Sequence, residues 1–526
     1  MKGIAWLTLF ISLIFPKVHA QPWPKTYVGM NAYDDWVIQT YDKGYVILGT
    51  KTNYKLGWII KTDINGNIIW DKKLGSGQYK LYPGNIEQTQ DNGFIIGGTT
   101  MQIGDQNDAF ILKLNSCAEL QWCKIIYTPT IPWDQGWCAK PTFDGGFLLL
   151  GSENDPNPKN RVNLFRFDIN GQLLWHYSYH LDTLLFDEDA FNIYVDTDGF
   201  LLTGSGYYPG PGIPPGYGAI RPYYIKTDTS GITLWYTIYG KGTYYWGDAV
   251  KTIKGVNNNY YSATRHSDTT GNDYPALTKL FHNGDTSYSI NLTQNTYLGI
   301  ATTINIKDDT SLILGVAYSP VNGPGPVGLF KTDTLGNVKQ SITFMISNNT
   351  ISSTAKTFDN KYISIMTKCA PDCHIYACKV NSNLVYDTND NHPYIYDSLC
   401  PSGIVSDTII PNCDLIVDVQ EPFNNPESTH LKVFPNPASN HITVEFPKYL
   451  ELNSGLANFH TTTIYHQWNF TTLEIYNLSA ERVFKKDIPK DQVQLEIDVS
   501  NWPKGIYLFR LVYNKQSVAS EKMIFN

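Results

Sequence analysis

Asp187 and Asp189, two acids one residue apart, stand between stretches rich in tyrosine and tryptophan. Carboxylates flanking a sugar bond can divide glycoside hydrolysis between a proton donor and a base or nucleophile. Asp134 follows Trp133, and Asp248 follows Tyr245 and Trp246. Rings beside carboxylates suit sugar rings or a protein partner, and they also pack on one another with no ligand at all. Metal chemistry has thinner support. His176 and His180 would share one face of a strand. Asp387-Thr-Asn389-Asp-Asn391 alternates oxygen donors without the Gly and distal Glu of a calcium loop. Cys369-Ala-Pro-Asp-Cys373-His374 places three residues between its cysteines, one more than haem attachment needs. No Gly-x-Ser-x-Gly, His-Glu-x-x-His or phosphate-cradling Gly-Lys-Ser/Thr occurs. No catalytic residue is assigned, and no metal or cofactor is expected.

The frame that positions these residues is written as a repeat. Lys61-Thr-Asp63-Ile-Asn-Gly66-Asn-Ile-Ile-Trp70 recurs at Lys113 to Trp122, Arg166 to Trp175, Lys226 to Trp235, Lys279 to Tyr288 and Lys331 to Gln340, with Ala118 once in place of the Gly. A basic residue, a turn with Gly and an aromatic at fixed spacing predict a hairpin. A second hairpin precedes each copy, through Asp42-Lys-Gly44, Asp91-Asn-Gly93, Asp144-Gly-Gly146 and Asp198-Gly199, with weaker copies near Asn258, Asp309 and Asp359. Four strands in about 50 to 60 residues, seven times over, predict an all-β chain headed by a seven-bladed β-propeller. The seventh copy lacks its aromatic, because Thr388 stands nine residues after Lys379. Trp23-Pro-Lys-Thr-Tyr27 resembles Trp235-Tyr-Thr-Ile-Tyr239, so the amino-terminal segment is expected to supply the last blade's outer strand and close the ring. The repeated tryptophans are read as packing residues.

Both hairpin turns of a blade belong to one face, so binding is expected on the other. The longest insertion fits that face: 26 residues separate Phe200 from Lys226, against 16 to 19 elsewhere, and it carries Tyr207, Tyr208 and Tyr217. With Trp133, Asp134, Asp187, Asp189, Tyr245, Trp246 and Asp248 these form the candidate ligand site. A glycan or a surface protein is the expected ligand; a carbohydrate-active hydrolase or lyase at the channel mouth is the alternative.

Composition agrees with strands and turns: 36 Tyr, 13 Trp, 41 Gly and 29 Pro in 526 residues. The net charge of -8 speaks against nucleic acid as a partner. Met1 to Ala20 has the charged start, short apolar run and small-residue end of a secretory signal peptide, and no later run reaches transmembrane length. Export permits disulfides among the eight cysteines, and the short loop Cys400 to Cys413 is the favoured pair.

Beyond Cys413 the pattern changes. Leu431-Lys-Val-Phe-Pro435-Asn436-Pro437-Ala438, the alternation His441 to Phe446, Leu473-Glu-Ile-Tyr-Asn-Leu478, Gly505-Ile-Tyr507 and a terminal Glu521-Lys522 predict a small antiparallel β-sandwich. These motifs resemble the type A C-terminal sorting domain of the type IX secretion system, with an insertion from Lys448 to Phe470. The resemblance implies a Bacteroidota cargo protein that meets the type IX machinery and is released or displayed at the cell surface. Pro435, Asn436, Pro437, Gly505, Tyr507 and Lys522 would carry the signal. The expected divisions are 1–20 leader, 21–390 propeller, 391–428 linker with a disulfide, and 429–526 sorting domain.

Overall fold

A computed structural model of the chain describes residues 23–28, 36–51, 56–76, 80–101, 107–127, 134–153, 161–179, 188–208, 219–239, 247–267, 272–293, 298–319, 326–347, 351–369, 373–417, 423–424, 431–435, 440–446, 471–477, 481–489, 492–513 and 516–525. Among them, strands make seven sheets of four or five strands, followed by two sheets of three and four strands. Blade 1 runs Trp36–Gln39, Tyr45–Lys51, Leu56–Thr62 and Ile68–Leu74, paired antiparallel in that order. The other inner strands are Leu81–Gln88, Asp134–Pro141, Glu188–Asp196, Ala249–Lys254, Leu298–Asp308 and Ile351–Lys356. Each inner strand packs against the next, and Ile351–Lys356 packs against Trp36–Gln39, so the row closes on itself. Middle strands such as Asp108–Leu114 are buried along their whole length, because neighbouring blades cover both faces.

Closure happens as the Trp23 repeat implied. Lys25–Val28 pairs antiparallel with Cys373–Val380, placing Tyr27 opposite Ile375, and Trp23 and Tyr27 are buried. Trp23 packs on the Gly66 turn of blade 1 just as Trp122 packs on the Gly171 turn of blade 3. A Cβ on Gly171 would lie 2.7 Å from the Trp122 ring, and its φ of +76° already favours glycine. The tryptophans are therefore inter-blade packing groups.

The other turn shows why its sequence repeats. In Thr89-Gln-Asp91-Asn-Gly93 the Gly93 amide donates to the Asp91 carboxylate, as does the Thr89 hydroxyl. Lys113, from the third strand of the same blade, donates to both Asp91 oxygens, at 3.1 and 2.8 Å. A Cβ at Gly93 would meet the Leu114 carbonyl at 2.2 Å and the Lys113 ammonium at 2.6 Å, so the cation can be seated only beside glycine.

The cysteine expectation is corrected. Cys400 pairs with Cys117 and Cys413 with Cys123, not with each other. The reason lies in the segment after the ring, which does not behave as a free linker. Asp407–Ile409, Asp414–Val417 and Phe423–Asn424 add parallel strands to the outer edges of blades 1, 2 and 3. Asp407–Ile409 thus separates the two cysteines, and each reaches blade 2 at a different level. Before this strap, Asp387 pairs with Lys379 and Lys361, Asp390 bonds Asn65, and the Asp397 amide donates to Asp42, so the chain crosses the tight-turn side of blades 7 and 1.

The described residues from 431 onward form two sheets, Lys432–Phe434, His441–Glu445 and Gln494–Asp498 against Arg482–Ile488, Thr471–Asn477, Gly505–Tyr513 and Gln516–Phe525. One core, including Ile442, Val444, Leu473 and Phe509, draws on both sheets and makes a sandwich.

Candidate functional site

Trp133, Asp187, Tyr217, Tyr245 and Trp246 lie outside the described residues. Asp134 opens the inner strand of blade 3 opposite Glu153, and Tyr208 closes the second strand of blade 4 opposite Ala219. The remaining three fall together where blades 4 and 5 meet. Asp189 pairs across the sheet with Ser205, and its carbonyl accepts the Tyr223 hydroxyl at 2.9 Å. Asp248 accepts from the Ser205 hydroxyl and holds Arg265 at 2.7 Å, while Arg265 also reaches Asp273 at 3.1 Å. Burial raises the Asp248 carboxyl more than Arg265 lowers it. Tyr207, two residues beyond Ser205, is exposed. Asp248 is therefore an ion-paired acid held on the strand that carries the exposed Tyr207.

Asp108 was not singled out by the sequence. It begins the third strand of blade 2 opposite Thr100, is 0% exposed, and neither carboxylate oxygen has a hydrogen-bond partner among the described residues. Burial pushes its carboxyl up to about 7. The available signal was an acid heading the otherwise apolar run Asp108-Ala-Phe-Ile-Leu.

The channel wall holds a second group that the sequence reading missed. Every described inner strand except the first carries a register break, such as Gly136/Cys138 in blade 3 and Ala249/Lys251 in blade 5. The residue after each break occupies one level of the ring, and by register Trp36 joins that level. Asn85, Cys138, Asn192, Thr303 and Ser353 at this level are buried, whereas Trp36 and Lys251 keep partial exposure. The Lys251 ammonium lies 4.9 Å from the centre of the Trp36 ring, and the Lys140 ammonium 5.3 Å. Both distances allow cation–π attraction. Lys140 is also ion-paired with Glu87. Burial works against the Lys140 charge, but Glu87 outweighs it and holds the ammonium above its ordinary range. For Lys251, burial and then repulsion from Lys140 push the ammonium down to about 8.

Among the described residues no group of three or more His, Cys, Asp or Glu is placed to hold a metal ion. His176 stacks on Phe165 at 4.2 Å inside blade 3, and burial drives its ring down to about 3. Of the sorting residues, Tyr507 is buried and donates to the Pro503 carbonyl at 2.8 Å, Pro435 directly follows the first strand of the sandwich, Gly505 opens its strand, and Lys522 pairs with Leu508. Asn436 and Pro437 lie outside the described residues.

Residues 432–526 match the family model described as "Secretion system C-terminal sorting domain". The sandwich is that sorting domain. It makes the chain a cargo of the type IX secretion system, secreted or attached at the cell surface. No curated protein matches the chain. Solved structures with a similar fold include a protein of unknown function from Dyadobacter fermentans, 9% identical with a TM-score of 0.40, covering 67% of this chain and 99% of that one. An α-L-arabinofuranosidase from Lactobacillus brevis is 10% identical with a TM-score of 0.31, covering 49% of this chain and 96% of the other. A subtype N11 neuraminidase-like protein of A/flat-faced bat/Peru/033/2010 is 12% identical with a TM-score of 0.34, covering 69% and 91%. At this distance the likenesses carry no activity across to the exported ring. No helix among the described residues is long and apolar enough to cross a membrane.

Proposed function

We propose that the ring is an exported binding module that takes a glycan or a surface protein on the face opposite its tight turns. One asymmetry carries the reading. The tight-turn side is closed by Asp–cation pairs and crossed by the chain itself over blades 7 and 1, while Tyr207, near the far end of the second strand of blade 4, is exposed. An exposed aromatic beside ordered carboxylates is a contact surface at low entropic cost. The test is binding of the purified chain to a glycan array and to surface-protein extracts, with Tyr207→Ala alongside. A loss of about tenfold or more supports this face; unchanged binding removes it.

A carbohydrate-active hydrolase or lyase is the second reading, and Asp108 favours it. A carboxyl with no hydrogen-bond partner among the described residues, raised by burial to about 7, changes protonation near neutral pH. Turnover of acidic or neutral polysaccharides that disappears in Asp108→Asn would establish an enzyme. No turnover by the unaltered chain, or equal turnover by Asp108→Asn, removes Asp108 as its acid.

A further inference from the structure

Among the described residues the Lys251 ammonium of the channel wall has no carboxylate at ion-pair distance, and the titratable groups that act on it are Lys140, Glu87 and Cys138. We propose that the central channel binds a small monocarboxylate, anchored by the Lys251 ammonium beside the Trp36 ring. This site is separate from the loop residues of blades 4 and 5 and does not rest on them.

Three observations combine. At the level set by the inner-strand bulges, five of the seven positions are buried, so Trp36 and Lys251 are what that level shows to the lumen. Bulges of this kind re-aim side chains, and here one repeats around the ring. The charges then fail to cancel. Lys140 is matched by Glu87, whereas no carboxylate among the described residues lies within ion-pair distance of Lys251. What remains is one positive charge in a partly buried wall, where restricted access of water strengthens any ion pair made there.

The size and charge of the ligand follow. One unmatched ammonium balances one carboxylate, whereas a dianion would leave a second charge half-buried without a partner. Ammonium groups from blades 3 and 5 both reach the ring contributed by blade 1, at 5.3 and 4.9 Å, so the lumen is narrow at this level. A carboxylate on a small molecule fits such a place better than a branched chain. It would also hold Lys251 in its charged form, against the burial and the Lys140 repulsion that now work to discharge it.

Isothermal titration of the full chain at pH 7 with sodium glucuronate, sodium acetate, glucose and inorganic phosphate tests this. Saturable one-to-one binding of a carboxylate, with no heat from glucose, is expected. Stronger binding of glucuronate than acetate identifies a sugar acid as the source; equal binding shows that the carboxyl group alone is read. Above pH 8 the dissociation constant should rise about tenfold per unit as Lys251 loses its proton. Lys251→Met should abolish binding, and Lys251→Arg should keep it while removing the dependence between pH 8 and 10. Absence of saturable binding by either carboxylate, tighter binding of phosphate, or an unaltered pH profile in Lys251→Arg overturns the proposal.

Discussion

Lys61 and Asp42 meet at 2.6 Å with 1% of either side chain exposed, joining the third strand of blade 1 to the turn between its first two. Lys113–Asp91, Arg166–Asp144 and Lys226–Asp198 repeat the contact at 2.8, 2.6 and 2.7 Å. In blades 1 to 4 the basic residue that opens the sequence repeat is thus an internal cation that ties one blade's two tight turns together, whereas Lys279 of blade 5 lies near the rings of Tyr261, Phe281 and Tyr288.

Losing one partner of the most buried pair should be costly. Lys61→Met leaves Asp42 uncompensated and is expected to lower unfolding free energy by about 3 to 5 kcal/mol, measured by urea denaturation. Lys61→Met with Asp42→Asn should recover part of that. Asp144 has a side chain 72% exposed, so water replaces much of what Arg166 supplies. Asp144→Asn should cost under about 1 kcal/mol. Equal costs at the two sites would contradict the burial argument.

Acid should act on the same turns. For Asp42, burial raises the carboxyl, but Lys61 and hydrogen bonds from Asp397, Lys61 and Thr40 outweigh it, and the net shift is downward. Asp91 and Asp359 are lowered in a similar balance. Carboxyls lowered in the folded state contribute stability that is present above their unfolded range, near 4, and lost as pH falls through the folded values. Asp108 has the opposite sign: raised to about 7, it costs stability as pH rises from about 4 to 7. Asp108→Asn should therefore raise the urea midpoint at pH 8 and change it little at pH 4. An identical increment at both values would show that Asp108 is not titrating there.

The latch should behave as part of the core. Trp23 is 1% exposed, and the Tyr27 hydroxyl donates to the Gly66 carbonyl at 2.9 Å across to blade 1. Trp23→Ala is expected to cost about 3 to 5 kcal/mol, and Tyr27→Phe about 1 kcal/mol. Deleting residues 21–28 should leave Cys373–Val380 as a bare edge, seen as self-association on size-exclusion chromatography. A truncated ring that stays monomeric with unchanged melting would show that closure does not depend on this strand.

What could be read in the sequence was whatever repeats. The turn glycines, the aromatic at fixed spacing and the orphan Trp23 encode blade and closure, and even Ala118 follows the rule by adopting φ 55° where its counterparts are glycine. What could not be read is non-local and occurs once. Cys117 and Cys400 are 283 residues apart, and the strap strands are short segments with no counterpart elsewhere. The channel group is similar: Trp36 and Lys251 look like ordinary inner-strand residues until the ring folds and faces them across the lumen.

Strap and ring should separate only when both disulfides are gone. Cys400→Ser and Cys413→Ser each remove a cross-link over a very long loop and should cost about 2 to 4 kcal/mol. The Lys124–Asp414 pair, with the acid side chain 75% exposed, adds little. In the double variant, limited proteolysis should cut between 400 and 417 while the blades survive. Resistance equal to the parent would mean that the parallel strands alone hold the strap.

That attachment decides what removing the sorting domain should do. The strap strands end at Asn424, before the matched segment begins at residue 432, and both cross-links lie within the retained part. Deleting 432–526 therefore takes no strand from the ring, so the shortened chain should fold and melt as the ring does in the full protein. It should nevertheless fail to reach the cell surface, because the segment that addresses it to the type IX machinery is absent. Fractionation should find it folded in the periplasm. A misfolded truncation would show that the sandwich supports the ring, and normal surface delivery would show that the export signal lies elsewhere in the chain.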